Sequence, residues 1–281
     1  MGENSVRAYN ILVGGAWREG RAGRMPAVSP ATGEEIASVP VATPDDVDDA
    51  VAAAGGAGPA WAALSAFERA ARCRAVAAKI DGHADALAGW LARDQGKPLE
   101  AEARDEVSEL AEYFRMAAED AIRLAGGAPP STSASRRVLT LTVPLGVVGV
   151  ISPWNWPYTM GAELFAPAMA AGNTVVWAPA PTTSACCALL AEIITAAGIP
   201  AGVFNFLSGP GPVVGDAVAG HPGVHAVGFI GSVARPRSAS SRITMGPLPP
   251  SSRSCVLPAA RAATLAPVAT EPMKPTACTP G

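Results

Sequence analysis

The segment Pro144-Leu-Gly-Val-Val-Gly-Val-Ile-Ser-Pro-Trp-Asn-Trp-Pro157 decides the fold class of this chain. Its first half contains a short apolar run, Gly146–Ile151, and its second half is a loop bracketed by Pro153 and Pro157. An uninterrupted apolar run of this length is consistent with a strand that is buried on both faces. The two prolines force the loop that follows into an extended, rigid course.

Downstream of this segment the sequence alternates between short apolar runs and helical patterns. Strands are predicted at Asn173–Trp177, Gly202–Phe206 and Ala226–Ile230, and helices at Glu163–Ala171, Thr183–Ala197 and Pro212–Ala219. Continuous apolar strands that alternate with helices form parallel sheets covered on both faces. The predicted fold class is therefore α/β with a parallel sheet.

Upstream of the segment the patterns are mainly helical. Three helices are predicted, each from its own start signal: Asp45–Ala54 after the N-cap pair Thr43-Pro44, a run from the capping box Ser65-x-x-Glu68 to about Trp90, and Leu99–Leu124 after Gly96-Lys97-Pro98. Their apolar stripes are typical of sides that face a core. Between these helices and the first apolar run, the alternating stretch Arg137–Val143 is predicted as a strand.

Ligands of open parallel sheets bind beyond the carboxyl ends of the strands. The loop Gly209-Pro-Gly211-Pro-Val-Val-Gly215 almost matches the dinucleotide fingerprint G-x-G-x-x-G, but it is one residue too long, and a glycine-rich turn is an equally good interpretation. In the loop after the first strand, Asn155 is a rigidly held amide that can donate to a developing oxyanion. The residues alone favour the alternative, a turn whose tryptophans only pack.

Composition and charge exclude several classes of protein. With 281 residues, 49% of them apolar and 16% charged, the chain is not a disordered regulator. It has no window of eighteen apolar residues and no signal-peptide pattern, which argues against a membrane or secreted protein. Five cysteines without a Cys-x-x-Cys pair indicate a reducing, cytoplasmic location, and the three histidines lack ligand-spaced partners, so no metal is predicted.

The last part of the chain differs from the rest. Residues 235–281 carry six Lys or Arg, one Glu and nine of the 27 prolines, and they contain no Phe, Trp or Tyr. Such a segment cannot bury a core, so it is predicted to be a disordered tail. Its positive charges are scattered rather than clustered, which favours this interpretation over a nucleic-acid-binding arm. The abrupt change after Ala234 suggests the hypothesis of an out-of-frame tail.

Taken in order, several stretches resemble the NAD(P)-dependent aldehyde dehydrogenase superfamily over residues 9–234. They are Leu12–Trp17, Ser29–Gly33, Ala60-Trp61, Gly96-Lys97-Pro98, Pro144–Pro157, Ala171–Val175, Ala197–Pro200 and Phe229–Ser232. The resemblance implies that the N-terminal helices pack on a Rossmann-like coenzyme domain and that both belong to residues 1–234. It also implies that 137–143 is a strand of the arm through which this family oligomerises.

The same resemblance implies a set of functional residues. Asn155 is implied as the catalytic side chain that stabilises the thiohemiacetal oxyanion. The coenzyme, NAD or NADP, is implied to contact Ile151, Ser152, Pro153, Trp154, Asn155, Gly209, Gly231 and Ser232. In this set Gly231 and Ser232 face the pyrophosphate, and Gly209 lies near the adenosine. The substrate of the complete enzyme type is an aldehyde, which is oxidised to a carboxylic acid.

The sequence departs from the family pattern in two places. Ala178-Pro179-Ala180-Pro181 stands where the family has Lys-Pro-x-Glu, whose Lys and Glu bind the adenosine ribose. After Ala234 no Glu-Leu-Gly-Gly segment with the general base follows, and neither Cys255 nor Cys278 has the motif of the nucleophile. We therefore expect the N-terminal half of an aldehyde dehydrogenase, without its catalytic domain and inactive alone. The alternatives are a non-catalytic coenzyme-binding module and an interaction partner of a full-length relative.

Overall fold

Two sheets organise the structure, a computed structural model that describes residues 6–231. Their strands are β1 (Arg7–Ala8), β2 (Ile11–Val13), β3 (Ala16–Arg18), β4 (Arg24–Val28), β5 (Glu35–Pro40), β6 (Val147–Ser152), β7 (Thr174–Pro179), β8 (Phe204–Phe206) and β9 (Ala226–Phe229). The large sheet has the order β3-β2-β8-β7-β6-β9, and the small sheet has the order β1-β5-β4. The segments 1–5 and 232–281, with the predicted tail, lie outside the described residues.

The four predicted parallel strands are confirmed, and the α/β fold class with them. β6 pairs in parallel with β7 and with β9, and β7 pairs in parallel with β8. β7 and β8 lie on one side of β6 and β9 lies on the other, so the strand order reverses between β6 and β9. In open α/β sheets a ligand crevice forms at such a switch point, beyond the carboxyl ends of the two strands.

The N-terminal strands were not predicted, and they make the large sheet mixed. β2 pairs antiparallel with both β3 and β8, so an antiparallel ribbon extends the edge of the parallel strands. β1, β2 and β3 have only two or three residues each, which is too short for a period of two to stand out in the sequence. β2 forms because the edge of β8 offers unpaired backbone groups, β3 pairs in turn with β2, and β1 pairs with β5 in the small sheet.

Within residues 6–231, seven α-helices cover the sheets. They are α1 (Pro44–Ala63), α2 (Ala66–Asp81), α3 (Ala84–Gln95), α4 (Arg104–Arg123), α5 (Thr159–Ala170), α6 (Ser184–Ala196) and α7 (Gly211–Gly220). The predicted N-cap Thr43 of α1 and the predicted capping box Ser65-x-x-Glu68 of α2 are confirmed, and the structure shows a capping box at Thr43 as well. The predicted end of α1 at Ala54 was wrong. The helix continues to Ala63 because the buried Trp61 anchors its last turn, donating from Nε1 to the Met169 carbonyl at 3.0 Å.

The other upstream helices also differ from their predicted extents. The single run predicted up to Trp90 is two helices, because α2 ends at Gly82 and α3 then packs on both α4 and α6. A π-helical turn, Leu99–Ala103, precedes α4, whereas the prediction was one helix from Leu99. Propensity and capping locate where these helices start, but their partners in the core decide where they end.

The segment 137–143, predicted as a strand that pairs with another subunit, forms no named strand within the described residues of this single chain, and its pairing between subunits stays a prediction. Within the described residues, Thr140 makes one isolated bridge, to Gly127, and no ladder forms. The side chains of Leu139 and Leu141 are 74% and 60% exposed. A strand needs a neighbour that supplies hydrogen bonds along its length, and among the described residues the segment 125–127 supplies them only around Thr140 and Thr142.

The core lies on both faces of the large sheet. On one face, α2 to α6 enclose an aromatic cluster in which Phe165, Trp177 and Phe204 contact one another. On the other face, α1 and α7 pack on the strands so closely that a Cβ at Gly149 would lie 2.6 Å from Val218 Cγ1. No single helix in residues 6–231 is long and apolar enough to cross a membrane, although α1 and α2 together pass that test across a bend of 118°.

Candidate functional site

The loops that follow the parallel strands meet at one edge of the large sheet. The Ala180 amide after β7 donates to the Ser152 carbonyl at 3.0 Å, and the Ile230 amide after β9 donates to the Ile151 carbonyl at 3.1 Å. The Leu207 amide after β8 donates to the Trp177 carbonyl at 2.9 Å. Four predicted ligand-facing loops therefore share one edge, and those after β6 and β9 flank the switch point.

Asn155 stands out in the loop after β6 because its side chain is exposed. Within residues 6–231 no hydrogen bond uses its side-chain amide, and the neighbouring Trp154 is 59% exposed. The amide can therefore donate to a ligand that enters from solvent. This placement is what an oxyanion-stabilising group needs, since its donor must be free and held in a fixed position.

The backbone of this loop is held by the last side chain of α3, Gln95, and by Lys97 just after that helix. Gln95 Nε2 donates to the carbonyl oxygens of Trp154 at 3.0 Å and Asn155 at 2.7 Å. Lys97 Nζ donates to the same Asn155 carbonyl at 3.1 Å and lies 3.7 Å from the centroid of the Trp156 ring. The carbonyl of the exposed asparagine thus accepts two hydrogen bonds from one turn of the chain.

Lys97 also forms a buried ion pair with Glu106 of α4. Nζ lies 2.6 Å from Glu106 Oε2, and the side chains are 4% and 0% exposed. Glu106 Oε1 accepts from the amides of Tyr158 at 2.9 Å and Thr159 at 3.3 Å, where α5 begins. Burial raises the pKa of the Glu106 carboxyl above its usual value, although Lys97 and these amides act against that shift.

Sequence reasoning missed Gln95, Lys97 and Glu106 as supports of the loop. Lys97 was noticed only as part of Gly96-Lys97-Pro98, and its contact with Asn155 spans 58 residues. The clue in the sequence is that Lys97 lies between a helix-ending glycine and a proline. A lysine at such a position is outside the helix and need not lie on its solvent-exposed side. The pairing itself is not readable without the fold.

The other implied coenzyme residues have different surroundings. The Ser152 side chain is buried, and its Oγ accepts from Trp177 Nε1 at 2.9 Å, so its hydroxyl faces the aromatic cluster. Ile151 and Pro153 are half-buried beside the crevice. Gly209 is buried, and a Cβ there would lie 2.7 Å from Val214 Cγ2, which makes it a close-packing position under α7. Ser232 lies outside the described residues.

The glycine-rich loop has the predicted strand–loop–helix context, and its implied place near the adenosine stays a prediction. It follows β8 and opens α7, as a fingerprint loop would. β8 is separated from β6 by β7, so the loop does not flank the β6/β9 crevice. Gly231, which is half-buried directly after β9, is the glycine that does lie there.

The carboxyl end of β7 lacks polar side chains where the family pattern has two. Ala178 is 5% exposed and belongs to an apolar cluster with Val176 and Leu207. A cleft of ≈ 360 Å³ opens beside Pro181, between β4, the end of α3 and Trp154. Neither Ala178 nor Pro181 can hydrogen-bond a ribose through its side chain.

A reactive thiol is not found in residues 6–231. Their three cysteines, Cys73, Cys186 and Cys187, are buried in α2 and α6. Burial raises the pKa of Cys73 to about 12 and also raises the pKa of Cys186 and Cys187. Such thiols stay protonated and are poor nucleophiles. The same residues contain no group of three His, Cys, Asp or Glu that could hold a metal ion.

Comparison with known proteins identifies the family. The model of the "Aldehyde dehydrogenase family" matches residues 17–246. The chain belongs to the aldehyde dehydrogenase family. It is 42% identical over 239 residues to a chloroplastic betaine aldehyde dehydrogenase of Amaranthus hypochondriacus, covering 82% of this chain and 47% of that protein. It is 36% identical to the succinate-semialdehyde dehydrogenase [NADP(+)] GabD of Escherichia coli, covering 83% and 48%.

Solved structures agree with this assignment. A crystal structure of an E. coli NADP dependent enzyme superposes with a TM-score of 0.77 at 36% identity, covering 81% of this chain and 47% of that one. An NAD-dependent aldehyde dehydrogenase from Sinorhizobium meliloti gives a TM-score of 0.76 at 36% identity, covering 80% and 45%. This aldehyde dehydrogenase chain therefore has the predicted family fold, and it spans about half the length of the relatives it matches.

Proposed function

We propose that this aldehyde dehydrogenase chain supplies the NAD(P)-binding crevice and the oxyanion donor of an enzyme that oxidises aldehydes to carboxylic acids. The observation that carries the proposal is the free, exposed amide of Asn155 at the carboxyl end of β6, beside the β6/β9 switch point. The printed names of its relatives include both an NADP(+) enzyme and an NAD-dependent one, which supports either coenzyme.

The residues of the crevice fit a nicotinamide coenzyme at one end and not at the other. Trp154 offers an exposed ring, and Gly231 offers backbone without a side chain in the way. At the ribose end Ala178 and Pro181 offer no polar side chain. A missing charged hydrogen bond costs about 1.5–3 kcal/mol, so we expect coenzyme binding to be about 10- to 100-fold weaker for each ribose ligand that is missing.

The chemistry of the site follows from what Asn155 can do. When a thiol adds to an aldehyde, the carbonyl oxygen becomes negative, and the Asn155 amide would donate a hydrogen bond to it. The coenzyme, when bound, accepts the hydride. The thiol is not one of the three buried cysteines, because none of them can ionise readily or reach the crevice. We therefore propose that this chain alone does not turn over aldehydes.

A titration of the full chain with NADH and NADPH tests the binding half of the proposal. Saturable fluorescence changes are expected, and Trp154→Ala should weaken them. Phe67→Ala is the matched control, since Phe67 is also an exposed aromatic, 68% exposed, but lies on α2. Absence of saturable binding to either coenzyme would refute the proposed crevice.

An activity assay tests the catalytic half. Production of NADH or NADPH from a panel of aldehydes should not exceed that of a Cys255→Ala/Cys278→Ala variant of the same chain. Turnover that disappears in the variant would show that one of these cysteines, outside the described residues, is the nucleophile. The expectation that this chain alone does not turn over aldehydes would then be wrong. The role of Asn155 would still have to be tested by substituting that residue.

A second function is favoured by the exposed segment 137–143. Leu139 and Leu141 present apolar side chains to solvent on a stretch that forms isolated bridges but no ladder within the described residues. Such a stretch can pair with a strand of another subunit. Co-purification with a full-length relative, lost in Leu139→Lys/Leu141→Lys, would support an interaction role; unchanged co-purification of that variant would rule this segment out.

A further inference from the structure

We propose that Lys97 and Glu106 are positioning residues that fix the backbone of the segment 154–159 and thereby aim the Asn155 amide. The inference rests on the proposed function, since it concerns how the oxyanion donor is held. It assigns a task to a buried ion pair that neither contacts the crevice nor belongs to the implied set of functional residues.

The first step concerns how Lys97 reaches the loop. α3 ends at Gly96, whose φ of +79° suits glycine, and a Cβ there would lie 2.9 Å from Pro30 Cγ. This turn sends Lys97 inward instead of continuing the helix. Its Nζ then donates to the Asn155 carbonyl at 3.1 Å, beside the Gln95 Nε2 donor at 2.7 Å.

Fixing that carbonyl restricts the asparagine side chain. A peptide group is planar, so the direction of a carbonyl sets the plane of the following peptide and limits ψ of its own residue. The Cβ of Asn155 is attached to the same Cα and inherits that restriction. Two donors on one acceptor therefore fix the direction of the Cα–Cβ bond of Asn155, and the positions open to its amide are the staggered rotamers about that bond.

The second step concerns the other end of the segment. Glu106 Oε1 accepts from the amides of Tyr158 and Thr159, two of the otherwise unpaired donors at the start of α5. A carboxylate near a helix N-terminus is also favoured by the helix dipole. Because Oε2 of the same carboxylate binds Lys97, one ion pair makes hydrogen bonds to the backbone on both sides of Trp156.

The third step separates positioning from simple stability. A buried ion pair is weak support for stability, because an apolar pair of similar volume often serves as well. An apolar pair cannot accept from two amides or donate to a carbonyl. Only the charged pair can therefore fix the direction of the backbone between residues 155 and 159.

The test compares the coenzyme-free full chain with the double variant Lys97→Met/Glu106→Leu, which removes both charges and keeps apolar bulk. Hydrogen exchange is followed by NMR at the amides of Tyr158 and Thr159 and at those of β6 and β7. We expect about tenfold faster exchange at the two loop amides, with the strand amides unchanged. Lys79→Met, an exposed lysine on α2, is the matched control and should change neither.

Two further variants keep the proposal falsifiable if the double variant does not fold. Gln95→Ala leaves the ion pair intact and should lower the ¹⁵N heteronuclear NOE of Asn155 and Trp156. Glu106→Gln keeps an acceptor for Tyr158, so exchange at the Tyr158 amide should stay as slow as in the wild type. Wild-type exchange at Tyr158 and Thr159 in a folded double variant, or fast exchange at Tyr158 in Glu106→Gln, would overturn the inference. Since no coenzyme is present, failure here leaves the NADH titration untouched as the test of the proposed function.

Discussion

The hydrogen bond between Trp177 and Ser152 provides the sharpest quantitative prediction, because it ties β7 to the strand that carries the site loop. Trp177 Nε1 donates to Ser152 Oγ at 2.9 Å, and both side chains are buried. Trp177→Phe removes the donor, Ser152→Ala removes the acceptor, and the double variant removes both. The prediction is that the two single losses are not additive.

The magnitude follows from what each variant leaves unpaired. A buried polar group without a partner costs about 1–3 kcal/mol, so Ser152→Ala should lower the free energy of unfolding by about that amount. Trp177→Phe should cost more, about 2–5 kcal/mol, because it also leaves a void among Phe165 and Phe204. The double variant keeps the void but has no unpaired group, so neither of the two unpaired-group costs remains. It should be about 2–6 kcal/mol more stable than the sum of the two losses predicts.

Urea unfolding of the four proteins, followed by far-UV circular dichroism, measures this coupling. Ser152→Ala should also leave the dissociation constant of NADH within about twofold of wild type, because the hydroxyl faces the core and not the crevice. Losses that add to within about 0.5 kcal/mol would refute the energetic argument. A large loss of NADH affinity with little change in stability would instead show that the Ser152 side chain contacts the coenzyme.

Three further predictions concern packing, charge and thiol reactivity. Gly149→Ala should destabilise the chain by about 1–3 kcal/mol, because its Cβ would lie 2.6 Å from Val218 Cγ1; a thermal melt that does not move would show that α7 shifts freely. Burial raises the pKa of Asp46, but hydrogen bonds from the Thr43 and Arg21 amides and from Arg18 outweigh it and hold the pKa below its usual 3.8. The stability that Asp46 contributes is therefore present above pH 3.8 and lost as the pH falls through its lower folded pKa, so Asp46→Asn should flatten the acid side of the stability curve measured by urea titration at each pH. Iodoacetamide should label none of the three described cysteines in the folded chain, as read by mass spectrometry, and fast labelling of any of them would contradict their burial.

Much of the fold could be predicted because its signals are local. The four parallel strands are predicted by apolar runs. The starts of α1 and α2 are predicted by an N-cap residue at Thr43 and a capping box at Ser65. The ends of helices and the short strands were missed because they depend on contacts with distant residues. α1 extends through Pro59 to Trp61 only because Met169 supplies a carbonyl in the core.

The candidate site divides in the same way. The proline-bracketed loop and its asparagine are visible in the sequence, because Pro153 and Pro157 restrict the backbone wherever they occur. The sequence could not show that the Ser152 hydroxyl turns toward Trp177, since adjacent side chains of a strand face opposite sides and the choice depends on register. Nor could it show that β7 separates the glycine-rich loop from β6.

The sequence by itself determined the α/β alternation, the family and the presence of Asn155 in the loop after β6. Each of these depends on short patterns of residues that lie near one another in the chain. Only the tertiary structure decided that Gln95, Lys97 and Glu106 hold the Asn155 loop and that segment 137–143 has no strand partner within the described chain. The physical reason is that hydrogen bonds and ion pairs between distant segments form only after the hydrophobic core has set the spacing of the elements. A sequence pattern records which groups are available to pair, and the packed fold selects which of them do.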